Sequence, residues 1–167
     1  MKKLILIAGP SGAGKTTVSR YLTDKYQIPR VLTHTTRKPR LGEKNGVDYY
    51  FEDEASFSKL HFFESVNYSG HQYGSSKEAL DLAWQKHEVV SLIVDVTGVE
   101  SYVEKLAEQV LFIYVTVTDL SIIEERMRAR GDSQESISAR TASAEHQRDQ
   151  VLPGKLQQKA FIIYNDD

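Results

Sequence analysis

The sequence contains no cysteine, which excludes disulfides and every metal site built on thiolates. It also lacks a strong charge of one sign: 21 Lys and Arg stand against 23 Asp and Glu, a formal net charge of −2. A dedicated nucleic-acid binder would carry a basic excess, so no nucleic acid is expected as a partner. No apolar run reaches the roughly 20 residues that a membrane-spanning helix needs, and no membrane partner is expected either. The opening stretch Lys2–Ala8 is basic and then apolar, but it is too short for a secretory leader and runs straight into a glycine-rich turn. Internal repeats and low-complexity tracts are missing as well. With 167 residues, 40% hydrophobic and 26% charged, the expectation is one soluble, cytoplasmic domain with a single core.

What is present is a set of short apolar runs. Leu4–Ala8, Val89–Val96, Val110–Val117 and Ala160–Tyr164 are rich in Val, Ile, Leu and aromatics without clean alternation. That is the pattern of strands buried on both faces of a parallel sheet. Helical spacing fills Lys15–Lys25, Lys77–Lys86, Val99–Glu108 and Ser121–Arg130. Strands alternating with helices predict an α/β domain with a parallel sheet flanked by helices, and a fifth strand is expected around Val31–Thr33. Residues 35–76 read differently: polar, rich in aromatics and punctuated by Pro39, Gly42, Gly46, Gly70 and Gly74, as a small inserted subdomain of short strands would be. Residues 126–148 alternate charges at helical spacing, which suits either a solvated arm or a mobile lid.

Gly9-Pro10-Ser11-Gly12-Ala13-Gly14-Lys15-Thr16 matches G-x-x-x-x-G-K-[ST] in full. Glycines let backbone N–H groups turn inward around an anion, and the helix that follows adds its positive end. Lys15 supplies a mobile charge for the β- and γ-phosphates of a nucleotide, and the Thr16 hydroxyl can ligate Mg²⁺. A chance glycine turn is the bland alternative; an apolar strand before it and a helix after it favour the phosphate cradle. Further on, Thr33-His34-Thr35-Thr36-Arg37-Lys38-Pro39-Arg40 sets two arginines among hydroxyls. Arginine forks match phosphate oxygens, although a solvated basic loop would read the same way. His34 and His71 have no metal-ligand spacing.

Taken together with Gly46-Val47-Asp48-Tyr49, Phe62-Phe63-Glu64, Tyr73-Gly74-Ser75, Arg126–Gly131 and Asn165-Asp166-Asp167, these motifs make the whole chain resemble the guanylate kinase family. The resemblance implies a P-loop kinase fold: core residues 1–33, 77–125 and 149–167, an acceptor-binding subdomain at about 34–76 and a helical lid at about 126–148. It implies transfer of the γ-phosphoryl group of ATP to GMP, with Mg²⁺. Gly9, Ser11, Gly12, Ala13, Gly14, Lys15, Thr16, Thr17, Arg126 and Asn165 would bind ATP. Thr33, Arg37, Arg40, Tyr49 and Tyr73 would hold the GMP phosphate, and Glu64 and Ser75 would read the guanine. Lys15, Arg37, Arg130 and Arg140 would be catalytic. A carboxylate can accept from both N1–H and the 2-amino group of guanine, and a serine hydroxyl can donate to O6, so the chemistry of Glu64 and Ser75 agrees. Phe62 and Phe63 are expected in the subdomain core, and Tyr68 is left undecided.

Asp95, at the end of an apolar strand, would share the metal with Thr16 by orienting a bound water. The family pattern there is D-x-D followed by Q-G, whereas this chain has Ile93-Val94-Asp95-Val96-Thr97-Gly98, so one acid and one glutamine are replaced. The lid is about one residue shorter than the pattern after Gly131, which loosens the register at Arg140. The family continues into a C-terminal helix after Asn165-Asp166-Asp167. An uncovered apolar patch in its place would favour association into a homo-oligomer. Three other readings stay open: a same-fold kinase with a different phosphorylated acceptor, a scaffolding module without catalysis, and a nucleotide sensor.

Overall fold

Fully apolar strands need cover on both faces, and the computed structural model, which describes residues 1–68 and 70–167, provides it. The side chain of Tyr68 lies outside the described atoms. In chain order the elements are β1 (Lys3–Ala8), α1 (Lys15–Tyr26), β2 (His34–Thr35), β3 (Tyr50–Phe51), α2 (Glu54–Phe57), β4 (Phe62–Tyr68), β5 (His71–Ser76), α3 (Lys77–Lys86), β6 (Val89–Ile93), α4 (Val96–Leu106), β7 (Val110–Thr116), α5 (Ser121–Ala129), α6 (Gln134–Thr141), α7 (Ala144–Asp149), α8 (Gly154–Gln157) and β8 (Ala160–Tyr164).

The main sheet has the order β6-β1-β7-β8, all parallel. Alternate residues of β1 point to opposite faces. Leu4, Leu6 and Ala8 join a cluster with Val90, Leu92, Phe112, Val99 and Tyr102. Ile5 and Ile7 join a second cluster with Val115 and the α1 residues Val18 and Leu22. Both faces being covered explains why the strand shows no polar alternation. The edge strand β8 is different: Phe161, Ile162, Ile163 and Tyr164 are all exposed.

Two boundaries and one element depart from expectation. β6 stops at Ile93 and Val96 already belongs to α4, because the Asp95 carboxylate accepts the Gly98 N–H at 2.6 Å and caps that helix three residues early. The strand expected at Val31–Thr33 is only a single bridge, Arg30 to Ser91. The Val31 N–H donates to the Ser91 carbonyl at 2.7 Å, but two residues on the Thr33 carbonyl already accepts the Tyr50 N–H at 2.9 Å, so the chain passes to the second sheet.

Residues 34–76 form a second sheet of order β3-β2-β5-β4, in which β2–β3 is parallel and the other pairings are antiparallel. His34, 5% exposed, joins its parts: Nδ1 lies 2.8 Å from Glu52 Oε1 and Nε2 2.7 Å from the Ser76 hydroxyl. Phe62 stacks on Phe57 at 4.4 Å within this sheet's core. Phe63 does not: it is the extra residue where the β4–β5 register shifts between Phe62 and Glu64, and it packs against Tyr102 in the main core. The charged stretch after β7 folds into α5, α6 and α7, with Ile137 of α6 buried against Val117, Ile123 and Met127. Glu124 and Arg128, one turn apart on α5, pair at 3.0 Å. Among the described residues no helix is long and apolar enough to cross a membrane.

Candidate active site

The cradle is built by the turn between β1 and α1. Gly14 caps α1 with φ 101°, and a Cβ there would sit 2.2 Å from Asn165 Nδ2, so only glycine fits both the backbone and the neighbour. The first N–H groups of α1 have no helical acceptor and face outward as donors. Lys15 Nζ donates to the carbonyls of Gly9 and Pro10 at 2.7 and 2.9 Å. Burial pulls its pKa down, partly offset by the charge of Asp149.

A cavity of about 580 Å³ opens over this turn, lined by Ser11, Gly12, Gly14, Lys15, Thr16, Thr17, Arg126, Arg130 and Asn165, with Met127 and Asp167. Gly9 and Ala13 lie beneath it, buried. Arg126 ties its walls together, donating to the carbonyls of Gly12 (3.3 Å), Asn165 (2.6 Å) and Asp167 (2.7 Å). Asn165 Nδ2 donates to the Ala13 carbonyl at 2.9 Å.

A second cavity, about 230 Å³, is lined by Thr16, Thr33, Tyr49 and Ile93, with Arg30, Val31, Asp48 and Leu92. Thr16, at the start of α1, lines both cavities, whereas Arg37, Arg40, Glu64, Tyr73 and Ser75 do not line the second. Beside the second cleft Arg37 forms a two-pronged pair with Glu43 at 2.8 and 3.0 Å and lies over the rings of Tyr49 and Phe51. The bond to Arg37, together with the Arg40 N–H, holds the Glu43 carboxyl down at about 2. Tyr73 bonds to Arg37 as well, and its ring meets Tyr49 edge-on at 6.3 Å. Arg40 is the outlier: its backbone N–H donates to Glu43 at 2.7 Å, but its side chain is exposed.

Glu64 and Ser75 face each other from β4 and β5. The Ser75 hydroxyl, fully buried, donates to Glu64 Oε1 at 2.9 Å. Burial raises the Glu64 pKa; the Ser75 bond opposes this and the charge of Asp95 adds to it. A Cβ on Gly98 would lie 3.3 Å from both Asp95 Oδ1 and Glu64 Cγ, so the capped end of α4 closes tightly on this pair. Asp95 is itself occupied: besides capping α4 it accepts from Arg148 Nη2 at 2.9 Å. Arg130 and Arg140 both reach Asp132, Arg140 at 3.6 Å. Groups of three or more His, Asp or Glu able to hold a metal are absent among the described residues.

Sequence reasoning gave no role to Glu43, Asp132, Arg148, Asp149 or Tyr102. Glu43 falls inside the motif that carries Arg37, and Tyr102 follows Asp95 at helical spacing, so both had a usable signal. Arg148 and Asp149 did not stand out in a stretch of alternating charge. Asp149 accepts the Val96 N–H at 3.2 Å, and burial raises its pKa. Nearby His146 is 4% exposed, its pKa lowered by burial and then by the charge of Lys15.

A family model described as guanylate kinase matches residues 1–167. The guanylate kinase of Desulfotalea psychrophila is 35% identical, over 99% of this chain and 82% of its own length. That of Sus scrofa is also 35% identical, over 84% of this chain and 74% of its own. Among solved structures, the crystal structure of guanylate kinase from Anaplasma phagocytophilum superposes with a TM-score of 0.60 at 24% identity, covering 99% of this chain and 77% of that one. The last of these bears on the fold alone.

Proposed function

From the premise that this chain belongs to the guanylate kinase family, we propose that its two clefts hold ATP and GMP on either side of Thr16 and that the residues named above divide the work between them. The chain is an ATP-dependent nucleoside monophosphate kinase that converts GMP and ATP to GDP and ADP. The observation that carries the site assignment is that one residue, Thr16, lines both cavities. A phosphoryl group bound to the cradle then has an acceptor cleft directly beside it.

ATP takes the larger cleft, its phosphates on the N–H groups of residues 12–17 and on Lys15, its base toward Arg126 and Asn165. Lys15 leaves the carbonyls of Gly9 and Pro10 to reach the phosphates. The GMP phosphate is held by Arg37 and Arg40, with Thr33, Tyr49 and Tyr73 donating hydroxyls. Its ionised oxygen is the nucleophile, so positioning and positive charge matter more than a general base. Glu64 accepts from guanine N1–H and the 2-amino group while Ser75 donates to O6. Residues 126–148 act as a lid whose Arg130 and Arg140 leave Asp132 for the transferring group, and closure excludes water from it.

Exposed Thr16, with no metal-binding cluster of acids among the described residues, suits an ion held mainly by phosphate oxygens and water, which is how Mg²⁺ binds. Asp95 would orient its water shell. Bound there, Mg²⁺ supplies charge neutralisation at the β- and γ-phosphates. We place the enzyme in the cytoplasm, where both nucleotides are available.

The test is ADP release coupled to an optical readout, with ATP, Mg²⁺ and GMP, dGMP, AMP, CMP or UMP. Turnover confined to the guanine nucleotides is expected. Equal turnover with AMP would overturn the base-reading roles of Glu64 and Ser75.

A further inference from the structure

Tyr102 is wholly buried on α4, yet its hydroxyl has no partner in good hydrogen-bond geometry, although the Ser75 hydroxyl is near enough to act on it. Leaving a buried hydroxyl unpaired is unfavourable, and a tyrosine that only filled space would be better replaced by phenylalanine. The ring is well fixed. It stacks on Phe63 with centroids 4.3 Å apart and planes at 24°, and Phe63 immediately precedes Glu64. Asp95, Gly98 and Tyr102 recur at i, i+3 and i+7, on one face of α4, and Gly98 packs against Glu64. The Phe63 stack and the Gly98 approach to Glu64 turn this face of α4 toward Glu64 and Ser75, the two groups that act on the phenol. Burial pushes the phenol pKa well above its usual value, so the group stays an O–H donor at any working pH.

Ser75 gives its single proton to Glu64 at 2.9 Å. Guanine binding, as assigned above, demands a different arrangement. Glu64 must accept from the base, and the Ser75 proton must turn to O6. A serine hydroxyl rotates freely and can equally well accept, so nothing in Ser75 alone decides which role it takes. Once it turns, its lone pairs need a donor, and Tyr102 has one to give.

We propose that Tyr102 is a positioning residue for base selection: when the acceptor binds, its hydroxyl donates to Ser75 Oγ and thereby commits the Ser75 proton to the base. This rests on the assignment of Glu64 and Ser75 to guanine. A serine held as donor suits a purine with a carbonyl at position 6. It opposes a purine with an amino group there, because donor then faces donor. Discrimination at N1 and the 2-position stays with Glu64, so the two residues select different edges of one base.

Tyr102→Phe keeps the ring and its stack on Phe63 and removes only the hydroxyl. Its melting temperature without nucleotide should equal or exceed the parent's. The KM for GMP, and the Kd by calorimetry, should rise about tenfold, the effect of one lost hydrogen bond, with kcat within about threefold. The preference for GMP over AMP should fall by a similar factor. Because the action runs through Ser75, adding Tyr102→Phe to Ser75→Ala should produce no further loss, whereas a packing defect would multiply. Two results overturn the inference alone: Tyr102→Phe binding GMP like the parent while Ser75→Ala does not, or losses that multiply in the double variant. If Ser75→Ala itself leaves GMP binding unchanged, the base-reading assignment falls and this inference falls with it.

Discussion

Glu64→Gln tests the acceptor site most directly, because it keeps the side-chain shape and changes only charge and donor pattern. The carboxylate is assigned two hydrogen bonds from the guanine edge. A bond to a charged group contributes about 1.5–3 kcal/mol. The glutamine oxygen can keep one neutral bond, while its NH₂ group faces a donor on the base. A loss of about 2–3 kcal/mol follows, which lowers kcat/KM for GMP by about 30- to 150-fold. Stability should move the other way. Burial raises the Glu64 pKa, and a carboxyl whose folded pKa lies above its unfolded value contributes stability at low pH that is lost as pH rises through the folded pKa. At neutral pH the ionised form is a net cost, so the variant should melt at the same temperature as the parent or higher. The same shift gives a pH signature. The parent should lose GMP affinity as pH falls through a value above the ordinary glutamate range, and the variant should not show that titration. Coupled ADP release across pH, with a thermal melt on each protein, reads all three effects. A variant within about threefold of the parent at neutral pH would refute the base-reading role, because even one lost bond is worth more.

Lys15→Ala should abolish turnover at unchanged melting temperature, since its ammonium is already desolvated; residual activity near the parent's would refute the cradle assignment. Arg130→Ala should lower kcat by at least about 100-fold, given the factors of 10³–10⁵ found for arginines in related phosphoryl transfer. An unchanged kcat in single-turnover assays would remove it from the chemistry. Ile93→Asp should raise kcat/KM for GMP, because residue 93 lines the acceptor cleft beside Thr16, while lowering the melting temperature through lost contacts with Ile5, Ile7 and Val18. A kcat/KM equal to the parent's would show that the missing acid has no effect here.

The cradle was legible because its chemistry is local. Gly14 must take φ 101°, Lys15 must follow it, and α1 must start there; neighbouring residues are enough to say so. Buried β1 was legible for a similar reason, since a run of apolar residues reports two covered faces at once. Val31–Thr33 failed because its apolar character does not reveal that Thr33 bonds to Tyr50, seventeen residues away, in the second sheet. β6 was drawn three residues too long because Asp95 acts as a helix cap, and a cap is recognised by what it bonds rather than by its neighbours. Tyr102 was passed over because a buried tyrosine on an apolar helix face looks like core until its hydroxyl is seen to lack a partner.

The state of the cations in this structure follows a common rule. Lys15 rests on two backbone carbonyls, Arg37 on Glu43, Arg130 and Arg140 on Asp132, and Arg148 on Asp95. Positive groups this close to one another without partners would repel, and each of these has a protein oxygen to hold. Pairs of partly exposed side chains are held only weakly, and a phosphate offers more charge and more acceptor oxygens than a single carboxylate. Substrate entry then becomes an exchange of partners rather than the assembly of a charged site. The sequence separation of each pair decides how far that exchange propagates. Arg37 and Glu43 share one loop, so their exchange stays local. Arg148 and Asp95 join α7 to the cap of α4, and the neighbouring Asp149 carboxylate accepts the Val96 N–H there, so an exchange at Arg148 would act on a junction that has a second tie.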